Sequence, residues 1–257
     1  MRIAIVGVGH MGSWLAKELA EQHEICVYDL DRSKAEKIQQ ATMLREYAEL
    51  KHFQPEILMN AVSLQRTQEA FESARPYLPA NCLISDMASV KSGVAEYYKR
   101  SPFRFVSVHP MFGPTFANVD KLENENVILI SESDPEGARF FQEFFSRMGL
   151  HITHYSFEEH DQMIAYSLVL PFASTMVFAA CMDTAAVPGS TFKKHREIAK
   201  GLLCEDDYLL TEILFSPHSL QQLEKVTTRL EFLKHVIKAK DAEEAQKFIS
   251  RLRKNVL

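Results

Sequence analysis

A histidine at the start of a proline-rich loop is the first candidate for chemistry. His109 begins the segment His-Pro-Met-Phe-Gly-Pro, which follows a β-rich run. An imidazole changes its protonation state near neutral pH, so it can accept or donate a proton there. Two prolines and a glycine stiffen the loop, and stiffness suits a catalytic group that must hold its position. A histidine that caps a rigid turn would give the same pattern, so both interpretations stay open.

Further candidates lie near this histidine and after the preceding β-rich run. Ser89 stands where a strand would lead into a helix, where a serine is most often an N-cap. Lys91 is either a solvated lysine of the first helical turn or a cation that neutralises a substrate carboxylate. Gly113 and Thr115, in the loop that starts at His109, are additional candidates for substrate contact.

A glycine-rich segment near the N-terminus predicts a dinucleotide-binding turn. Residues 7–12 read GVGHMG, which fits GxGxxG between a predicted strand and a predicted helix. Gly7 permits a tight turn, Gly9 lets the backbone approach a pyrophosphate, and Gly12 lets the helix pack closely on the strand. The helix N-terminus offers free N–H groups and a positive dipole end to the phosphates. A glycine turn in a non-binding α/β protein is the alternative.

An acidic residue after the second predicted strand favours NAD over NADP. Asp29 lies 17 residues after Gly12, close to the roughly 20-residue spacing of the acid that binds the ribose hydroxyls. Its carboxylate would repel a 2′-phosphate, whereas Arg32, shortly after it, could face one. We therefore predict NAD as the cofactor, with NADP less favoured. The candidate cofactor-binding residues are Gly7, Gly9, His10, Met11, Gly12, Asp29 and Ser63.

The elements that must position these residues alternate between strand and helix. Such alternation predicts an α/β fold with a mostly parallel Rossmann-type sheet. After Ser156 only helical patterns remain, so we expect a Rossmann domain at residues 1–156 and an all-α domain at residues 157–257. Strands are predicted at residues 2–6, 25–28, 56–62, 82–86, 105–109, 127–131 and 152–155. Helices are predicted at residues 11–22, 32–40, 67–77, 90–100, 135–148, 193–215, 219–238 and 241–255, with a further helix after Ser156.

The most apolar stretch of the chain belongs to the helical part. It spans Ile164 to Met182 and is interrupted by polar residues and Pro171. No uninterrupted run reaches about 18 apolar residues, so we expect no transmembrane helix and interpret this stretch as a buried helix. The chain has 10 methionines and 17 phenylalanines, enough for a core that extends beyond one subunit. A small helical domain with so much apolar surface predicts a twofold homodimer.

Composition and charge narrow the function classes. The chain has 257 residues, 46% hydrophobic and 25% charged, which is ordinary for a globular protein. Its formal net charge of −5 argues against a nucleic-acid partner or an anionic membrane surface. The four cysteines show neither a CxxC pair nor zinc-like spacing with histidines. We therefore expect reduced thiols, no metal site and a cytoplasmic protein.

Taken together, these segments resemble the prephenate dehydrogenase family. The glycine fingerprint, a DxxSVK segment at residues 86–91, HPMFGP at residues 109–114 and the triplet Glu-His-Asp at residues 159–161 occur in the family's order. The resemblance covers nearly the whole chain. It is nearest to the bacteroidete-type group, through AYSLxxPF at residues 165–172 and the long run at residues 192–214.

This resemblance implies NAD-dependent oxidation and decarboxylation of prephenate to 4-hydroxyphenylpyruvate, a precursor of tyrosine. It places the family's catalytic histidine at His109, where the ring would polarise the hydroxyl of the substrate, and the partner serine at Ser89. Neutral histidine supplies the proton acceptor that this chemistry needs near pH 7. Hydride transfer relies on the cofactor and on positioning and needs no metal. Family members dimerise through the helical domain.

Two departures from the family pattern leave the substrate pocket poorly defined. Many relatives carry a second histidine on the first helix of the helical domain, where this chain has Val169 or Phe172. The family's substrate-binding arginine aligns with Gly201. Lys200 and Arg196 are four residues apart and share a helix face, and we hypothesise that one of them holds a substrate carboxylate. Alternatively both are solvated surface cations. Arogenate, the amino counterpart of prephenate, therefore stays open as the substrate.

Other interpretations remain. A 3-hydroxy acid or 6-phosphogluconate dehydrogenase would share the architecture, but these enzymes rely on a lysine base in the helical half and lack the HPMFGP signature. A non-catalytic NAD-binding protein would keep the fold, although His109 and Ser89 argue against it. His160 and Asp161 either cap a helix or order the site. Because the chain ends soon after the helical part, we expect a monofunctional enzyme without a regulatory ACT domain or a fused chorismate mutase.

Overall fold

A computed structural model of the chain describes residues 1–112, 122–183, 185 and 187–256. The chain forms two compact units, Met1–Met163 and Ile164–Leu257. The domain boundary predicted at Ser156 falls inside the first unit and stays a prediction.

Unit 1 is built on one sheet, which among the described residues has eight strands in the order β3-β2-β1-β4-β5-β6-β7-β8. Neighbouring strands of the described sheet run parallel, apart from the antiparallel pair β6 and β7. This mostly parallel sheet confirms the predicted fold class. The strands are β1 (Arg2–Val6), β2 (Glu24–Tyr28), β3 (Thr42–Met43), β4 (Ile57–Asn60), β5 (Leu83–Asp86), β6 (Arg104–Pro110), β7 (Asn126–Ile130) and β8 (His151–Tyr155).

Helices connect these strands, and a further helix follows β8. They are α1 (His10–Leu19), α2 (Arg32–Ala35), α3 (Leu50–Phe53), α4 (Thr67–Ala74), α5 (Ser92–Arg100), α6 (Pro135–Arg147) and α7 (Phe157–Ile164), with short 3₁₀ turns at Tyr47–Glu49, Leu64–Arg66 and Arg75–Tyr77. The sequence explains α6 well. The carboxylate of Asp134 accepts from the backbone N–H groups of the first turn, proline occupies the first helical position, and the buried Phe141, Phe144 and Phe145 share one face.

The structure differs from the sequence prediction in the segment after β2, which leads to the edge strand β3. The helix predicted at residues 32–40 is only the four-residue α2, in which Ala35 alone of the helix is buried. A segment this polar buries too little apolar surface to hold a longer helix. The two-residue β3 was not predicted, because two residues are too few to show the alternation that marks a strand.

Apolar side chains cover both faces of the sheet. In β1, Ile3 and Ile5 belong to one buried cluster, whereas Ala4 and Val6 belong to a second cluster on the opposite face. This alternation follows from the two-residue period of a strand. Helices α1 and α6, together with Phe112 after β6, supply the buried aromatic residues of the first cluster, and α4 and α5 supply those of the second. Each large apolar side chain buried in this way contributes roughly 1.5–3 kcal/mol.

The regular secondary structure of unit 2 is entirely helical among its described residues. After a π-helical turn at Ala165–Val169 it contains α8 (Leu170–Ala180), α9 (Ser190–Leu203), α10 (Asp207–Leu214), α11 (Ser219–Ala239) and α12 (Ala242–Val256). The prediction of a single helix at residues 193–215 is wrong, because α9 ends before Asp206 and a second helix follows it. The carboxylate of Asp206 accepts from the N–H of Leu209 and so starts α10 as a new helix.

The apolar stretch after Ser156 is helical, but much less of it is buried than expected. Among its described residues, Ile164, Ala165, Val169 and Ala173 are buried, whereas Tyr166 and Val177 are more than half exposed. The prediction of a buried helix is therefore wrong for the single chain. By length and composition alone, Phe157–Ala180 could cross a membrane, with a mean hydropathy of 1.8. Counting only uninterrupted apolar residues does not detect this segment, because polar residues interrupt it. Apolar helices of water-soluble proteins also satisfy the criterion of length and composition.

Candidate active site

The glycine-rich turn between β1 and α1 depends on two of its glycines. Gly7 has a φ of +89°, and a Cβ there would lie 2.7 Å from the carbonyl carbon of Ala61. A Cβ on Gly12 would lie 1.9 Å from the carbonyl oxygen of Gly7. Both positions therefore exclude any side chain. The turn is consequently held tightly against the segment that follows β4.

Gly9, in contrast, faces open space, because a Cβ there would have no described atom within 4 Å. This residue precedes α1, and no side chain of the described residues caps that helix end. The N–H groups of the first turn are therefore available to an anion. Open space beside an uncapped helix N-terminus fits the pyrophosphate of a dinucleotide, so the residues present suit NAD.

A cleft of about 470 Å³ lies beside this turn, at the carboxyl ends of the first strands of the sheet. Ligands of open α/β sheets bind at this edge, and the volume is in the range of small-molecule sites. Four of the predicted cofactor residues line it, namely Gly7, Gly9, Asp29 and Ser63. The other three stand apart from that lining: Gly12 is buried, Met11 packs against the apolar cluster under α1, and His10 is exposed.

Asp29 is held at the rim of the cleft by two backbone groups. Its Oδ2 accepts from the N–H of Val8 at 2.6 Å, and its Oδ1 accepts from the N–H of Asp31 at 2.8 Å. Each carboxylate oxygen has a second lone pair, so both can still accept from ribose hydroxyls. The contact with Val8 also ties the acid to the glycine-rich turn.

Sequence reasoning missed several residues of this cleft. Tyr28 and Tyr47 both line it, with ring centroids 4.3 Å apart. Lys34 and Arg66 line it as well, whereas Arg32 is not among the lining residues. The cations near Asp29 are therefore different from the one that the sequence suggested. No sequence pattern identifies them, because their positions depend on how α2 and the turn after β4 fold.

A buried ion pair lies under the carboxyl ends of β5 and β6. Lys91 is completely buried, and its Nζ donates to Asp86 Oδ2 at 2.5 Å and to the carbonyl oxygen of Val108 at 2.8 Å. The hydroxyl of Tyr98 donates to Asp86 Oδ1 at 2.7 Å. Burial lowers the pKa of Lys91, and the neighbouring carboxylate opposes that change.

The prediction that Lys91 neutralises a substrate carboxylate is therefore wrong as a reading of this structure. Its ammonium group has no exposed surface and is already bound to Asp86 and to the main chain of β6. What Lys91 does is fix the backbone at Val108, immediately before His109.

His109 lies near the end of β6 with only 6% of its surface exposed. Its Nδ1 is 3.1 Å from Nε2 of His160 on α7, and the two rings meet edge to face. Nδ1 of His160 is in turn 3.3 Å from Oδ1 of Asp161. These contacts form a continuous series from a carboxylate through two imidazoles. Among the described residues, no hydrogen bond is seen at Nε2, the remaining nitrogen of His109.

Both imidazoles are neutral at pH 7. Burial lowers the pKa of His109 well below 6.5, and the proximity of His160 and of the Lys91 ammonium lowers it further. Burial likewise lowers the pKa of His160, although the neighbouring Asp161 opposes this. A neutral imidazole has one nitrogen with a free lone pair, so His109 can accept a proton at neutral pH.

The other predicted site residues are not brought together by what the structure describes. Ser89 is half-buried in the bend between β5 and α5, and its partnership with His109 stays a prediction. Lys200 and Arg196 lie on α9 and are exposed, with Arg196 Nη2 3.7 Å from Glu197 Oε1. Gly113 and Thr115 lie outside the described residues.

Among the described residues, no group of three or more His, Cys, Asp and Glu side chains is placed to hold a metal ion. The cysteines are unpaired: Cys26 and Cys82 are buried, and Cys181 and Cys204 are exposed.

Comparison with protein families identifies the first part of the chain. Residues 15–154 match the family described as prephenate dehydrogenase, nucleotide-binding domain. The chain is 22% identical over 252 residues to arogenate dehydrogenase 1, chloroplastic, of Arabidopsis thaliana, a match that covers 91% of this chain and 39% of that protein. The chain spans between 31% and 45% of the length of four curated relatives that it matches.

Solved structures share the fold. Prephenate dehydrogenase from A. aeolicus, in complex with hydroxyphenyl propionate and NAD⁺, superposes with a TM-score of 0.85 at 21% identity, covering 99% of this chain and 96% of that one. The arogenate dehydrogenase of Synechocystis gives a TM-score of 0.74 at 21% identity, covering 99% of this chain and 98% of that one.

Proposed function

The chain belongs to the prephenate dehydrogenase family, and from this we propose that it oxidises and decarboxylates prephenate to 4-hydroxyphenylpyruvate with NAD. The observation that carries the proposal is the neutral His109 near the carboxyl end of β6, with one ring nitrogen bound to His160 and the other without a partner in the part of the chain that the structure describes. Its assignment to the bacteroidete-type group stays a prediction.

The residues of the chain divide the work between binding and proton transfer. Bound NAD supplies the acceptor for the hydride. The N-terminus of α1 and the Asp29 carboxylate hold the pyrophosphate and the ribose hydroxyls. Nε2 of His109 accepts the proton of the ring hydroxyl as a hydride leaves the carbon that carries this hydroxyl. Loss of carbon dioxide then makes the ring aromatic, and the imidazolium of His109 returns its proton to the phenolate oxygen.

Arogenate is the second candidate substrate, because relatives of this chain include named arogenate dehydrogenases. It carries an amino group where prephenate carries a keto group, at a distance from the reacting hydroxyl. The proton acceptor is therefore the same for both substrates. Discrimination would depend on side chains that contact the distant end, and Lys200 and Arg196 remain our proposed candidates there.

NAD is the proposed cofactor, and NADP is the less favoured one. The Asp29 carboxylate sits on the backbone of the glycine-rich turn, where a 2′-phosphate would meet its negative charge. Lys34 and Arg66 line the same cleft and would partly offset that repulsion. We therefore expect a preference for NAD and measurable binding of NADP.

A homodimer formed through unit 2 is also proposed. Apolar side chains of the helices in this unit are more than half exposed in the single chain, which monomeric proteins rarely tolerate over a large area. They include Tyr166, Val177, Ile198, Leu220, Leu230 and Ile237. A second copy of the chain could cover them. Light scattering coupled to gel filtration would test this, and a monomeric mass at high protein concentration would refute it.

One assay tests the catalytic proposal. The purified chain is incubated with NAD and either prephenate or arogenate, and the near-ultraviolet absorbance of reduced nicotinamide is followed. Turnover of prephenate, with release of carbon dioxide, is the expected result. Turnover of arogenate alone would assign the second substrate. NAD binding without turnover of either would make the chain a non-catalytic NAD-binding protein and would refute the proposal.

A further inference from the structure

We propose that His160 and Asp161 are positioning residues that fix which nitrogen of His109 carries its proton, so that Nε2 of His109 is always a proton acceptor. The proposal concerns the series Asp161 Oδ1, His160 Nδ1, His160 Nε2 and His109 Nδ1, with contacts of 3.3 Å and 3.1 Å. It rests on the proposed function, because it describes how the acceptor for that reaction is prepared.

The order of protons follows from what each group can do. A carboxylate only accepts hydrogen bonds, so the contact with Asp161 requires a proton on Nδ1 of His160. A neutral imidazole has a single N–H, which leaves a lone pair on Nε2 of His160. That lone pair requires a proton on Nδ1 of His109, and the lone pair of His109 then lies on Nε2.

The reverse order is unfavourable at both ends. It would place a lone pair on His160 Nδ1 against the lone pairs of Asp161 Oδ1, at 3.3 Å. It would also put the proton of His109 on Nε2, where the ring could only donate to a substrate hydroxyl. An unmade or repulsive contact of this kind is costly next to the buried ring of His160, and this cost selects one order.

The charges around the two rings support this neutral series. The ammonium of Lys91 disfavours a positive charge on either imidazole. At His160, by contrast, the carboxylates of Asp161 and Asp86 favour a positive charge. Because His160 is fully buried, burial is the largest influence on it. Both rings thus carry one proton each, and the position of that proton is decided by hydrogen bonding.

The start of α7 is anchored separately, so His160 and Asp161 are not needed as caps. Ser156 Oγ accepts from the N–H of Glu159 at 3.2 Å, and Glu159 Oε2 accepts from the N–H of Ser156 at 2.8 Å. This reciprocal pair is a capping box. The N–H of Phe157 also donates to Glu132 Oε1 after β7. In the Glu-His-Asp triplet, therefore, the glutamate fixes the helix, His160 contacts His109, and Asp161 contacts His160.

The direct test is the tautomer of His109 in the full chain without substrate. Nitrogen-15 NMR of labelled histidines, with His109→Gln to assign its signals, distinguishes a protonated Nδ1 from a protonated Nε2. We expect the Nδ1–H form in the wild type and a substantial Nε2–H fraction in Asp161→Asn. The Nε2–H form in the wild type would overturn the proposal, whether or not the chain turns over prephenate.

Kinetics supply a second readout. Asp161→Asn should lower kcat about 10- to 100-fold, with NAD affinity and KM near wild type. His160→Gln keeps an amide oxygen that can accept from His109, so it should retain more activity than His160→Leu, which has no acceptor. Gln162→Ala, at an exposed position on the same helix, is the matched control and should keep the wild-type kcat. Equal activity in His160→Gln and His160→Leu, or an unchanged kcat in Asp161→Asn, would overturn the proposal.

The two proposals fail in different ways. A wild-type chain that turns over neither prephenate nor arogenate refutes the proposed function, and the NMR measurement still decides the tautomer. An active wild type whose His109 carries its proton on Nε2 refutes the positioning role alone.

Discussion

Lys91 Nζ lies 2.8 Å from the carbonyl oxygen of Val108, the residue immediately before the proposed catalytic His109. A buried cation thus holds the main chain next to the reacting side chain. Asp86 binds the cation, and the hydroxyl of Tyr98 donates to the other oxygen of Asp86. This arrangement assigns the DxxSVK segment a structural role that its sequence does not reveal.

Replacing the buried lysine should destabilise unit 1. Lys91→Met leaves Asp86 as a buried charge without its partner, which typically costs about 3–5 kcal/mol. Chemical denaturation would measure the loss, and Lys99→Met, at an exposed position on α5, the helix that follows Lys91, should change stability little. Because the unpaired charge causes the loss, the double variant Lys91→Met/Asp86→Leu should recover part of it. A double variant no more stable than Lys91→Met would contradict this account.

Removing the proton acceptor should affect turnover and spare cofactor binding. His109→Asn keeps a similar size but supplies no base, so kcat should fall about 10²- to 10⁴-fold. The Kd for NAD, measured by fluorescence titration, should remain near wild type. His151→Asn, at an exposed position on β8, serves as the control. Full turnover by His109→Asn would show that the proposed mechanism is wrong.

The pH dependence should reflect the low pKa of His109. Only the neutral ring accepts a proton, and burial, His160 and Lys91 hold its pKa well below 6.5. The kcat/KM should therefore be constant through neutral pH and should fall as the pH drops below 6.5 through the His109 pKa. The measurement is initial rate against pH in buffers of constant ionic strength. An acidic limb with its midpoint above 6.5 would be inconsistent with the buried site.

Cofactor choice should respond to the charge at Asp29. Asp29→Asn retains an oxygen that can accept from Val8 but removes the charge that opposes a 2′-phosphate. Two charges about 4 Å apart near a protein surface interact by about 4 kcal/mol, so the preference for NAD over NADP should fall at least about 10-fold. Titration with both cofactors measures the ratio, and Asp31→Asn gives a comparison from the same cleft. An unchanged ratio would exclude Asp29 from this role.

The proposed substrate cation can be tested by KM. If Lys200 holds a substrate carboxylate, Lys200→Ala should raise KM for prephenate about 10-fold, which corresponds to about 1.4 kcal/mol, and should leave the Kd for NAD unchanged. Arg196→Ala is the parallel variant on the same helix face, and Lys194→Ala is the exposed control. An unchanged KM in Lys200→Ala would remove that residue from the site.

The parts of the fold that sequence predicted well are those with a short-range cause. The turn at Gly7 and Gly12 follows from glycine spacing, and β1 follows from its apolar residues. The break before Asp206 was missed because apolar periodicity continues across it, although Asp206 itself is a common capping residue. The capping box of Ser156 and Glu159 is likewise visible in the sequence as S-x-x-E.

The contact between His109 and His160 could not be predicted in the same way. The two residues are 51 positions apart, and no local sequence pattern around either residue indicates contact with the other. The family resemblance indicates His160 as a candidate but leaves its role open between capping a helix and ordering the site. The buried state of Lys91 was hidden for a related reason, since a lysine near a helix start is ordinarily exposed.

The two-residue strand β3 has a consequence for solubility. It forms one margin of the sheet beside β2, and a margin this short offers few unsatisfied amide and carbonyl groups to an approaching chain. A foreign strand therefore finds almost no template for extending the sheet on that side. The small size of β3, which leaves no strand pattern in the sequence, also protects unit 1 against edge-to-edge aggregation.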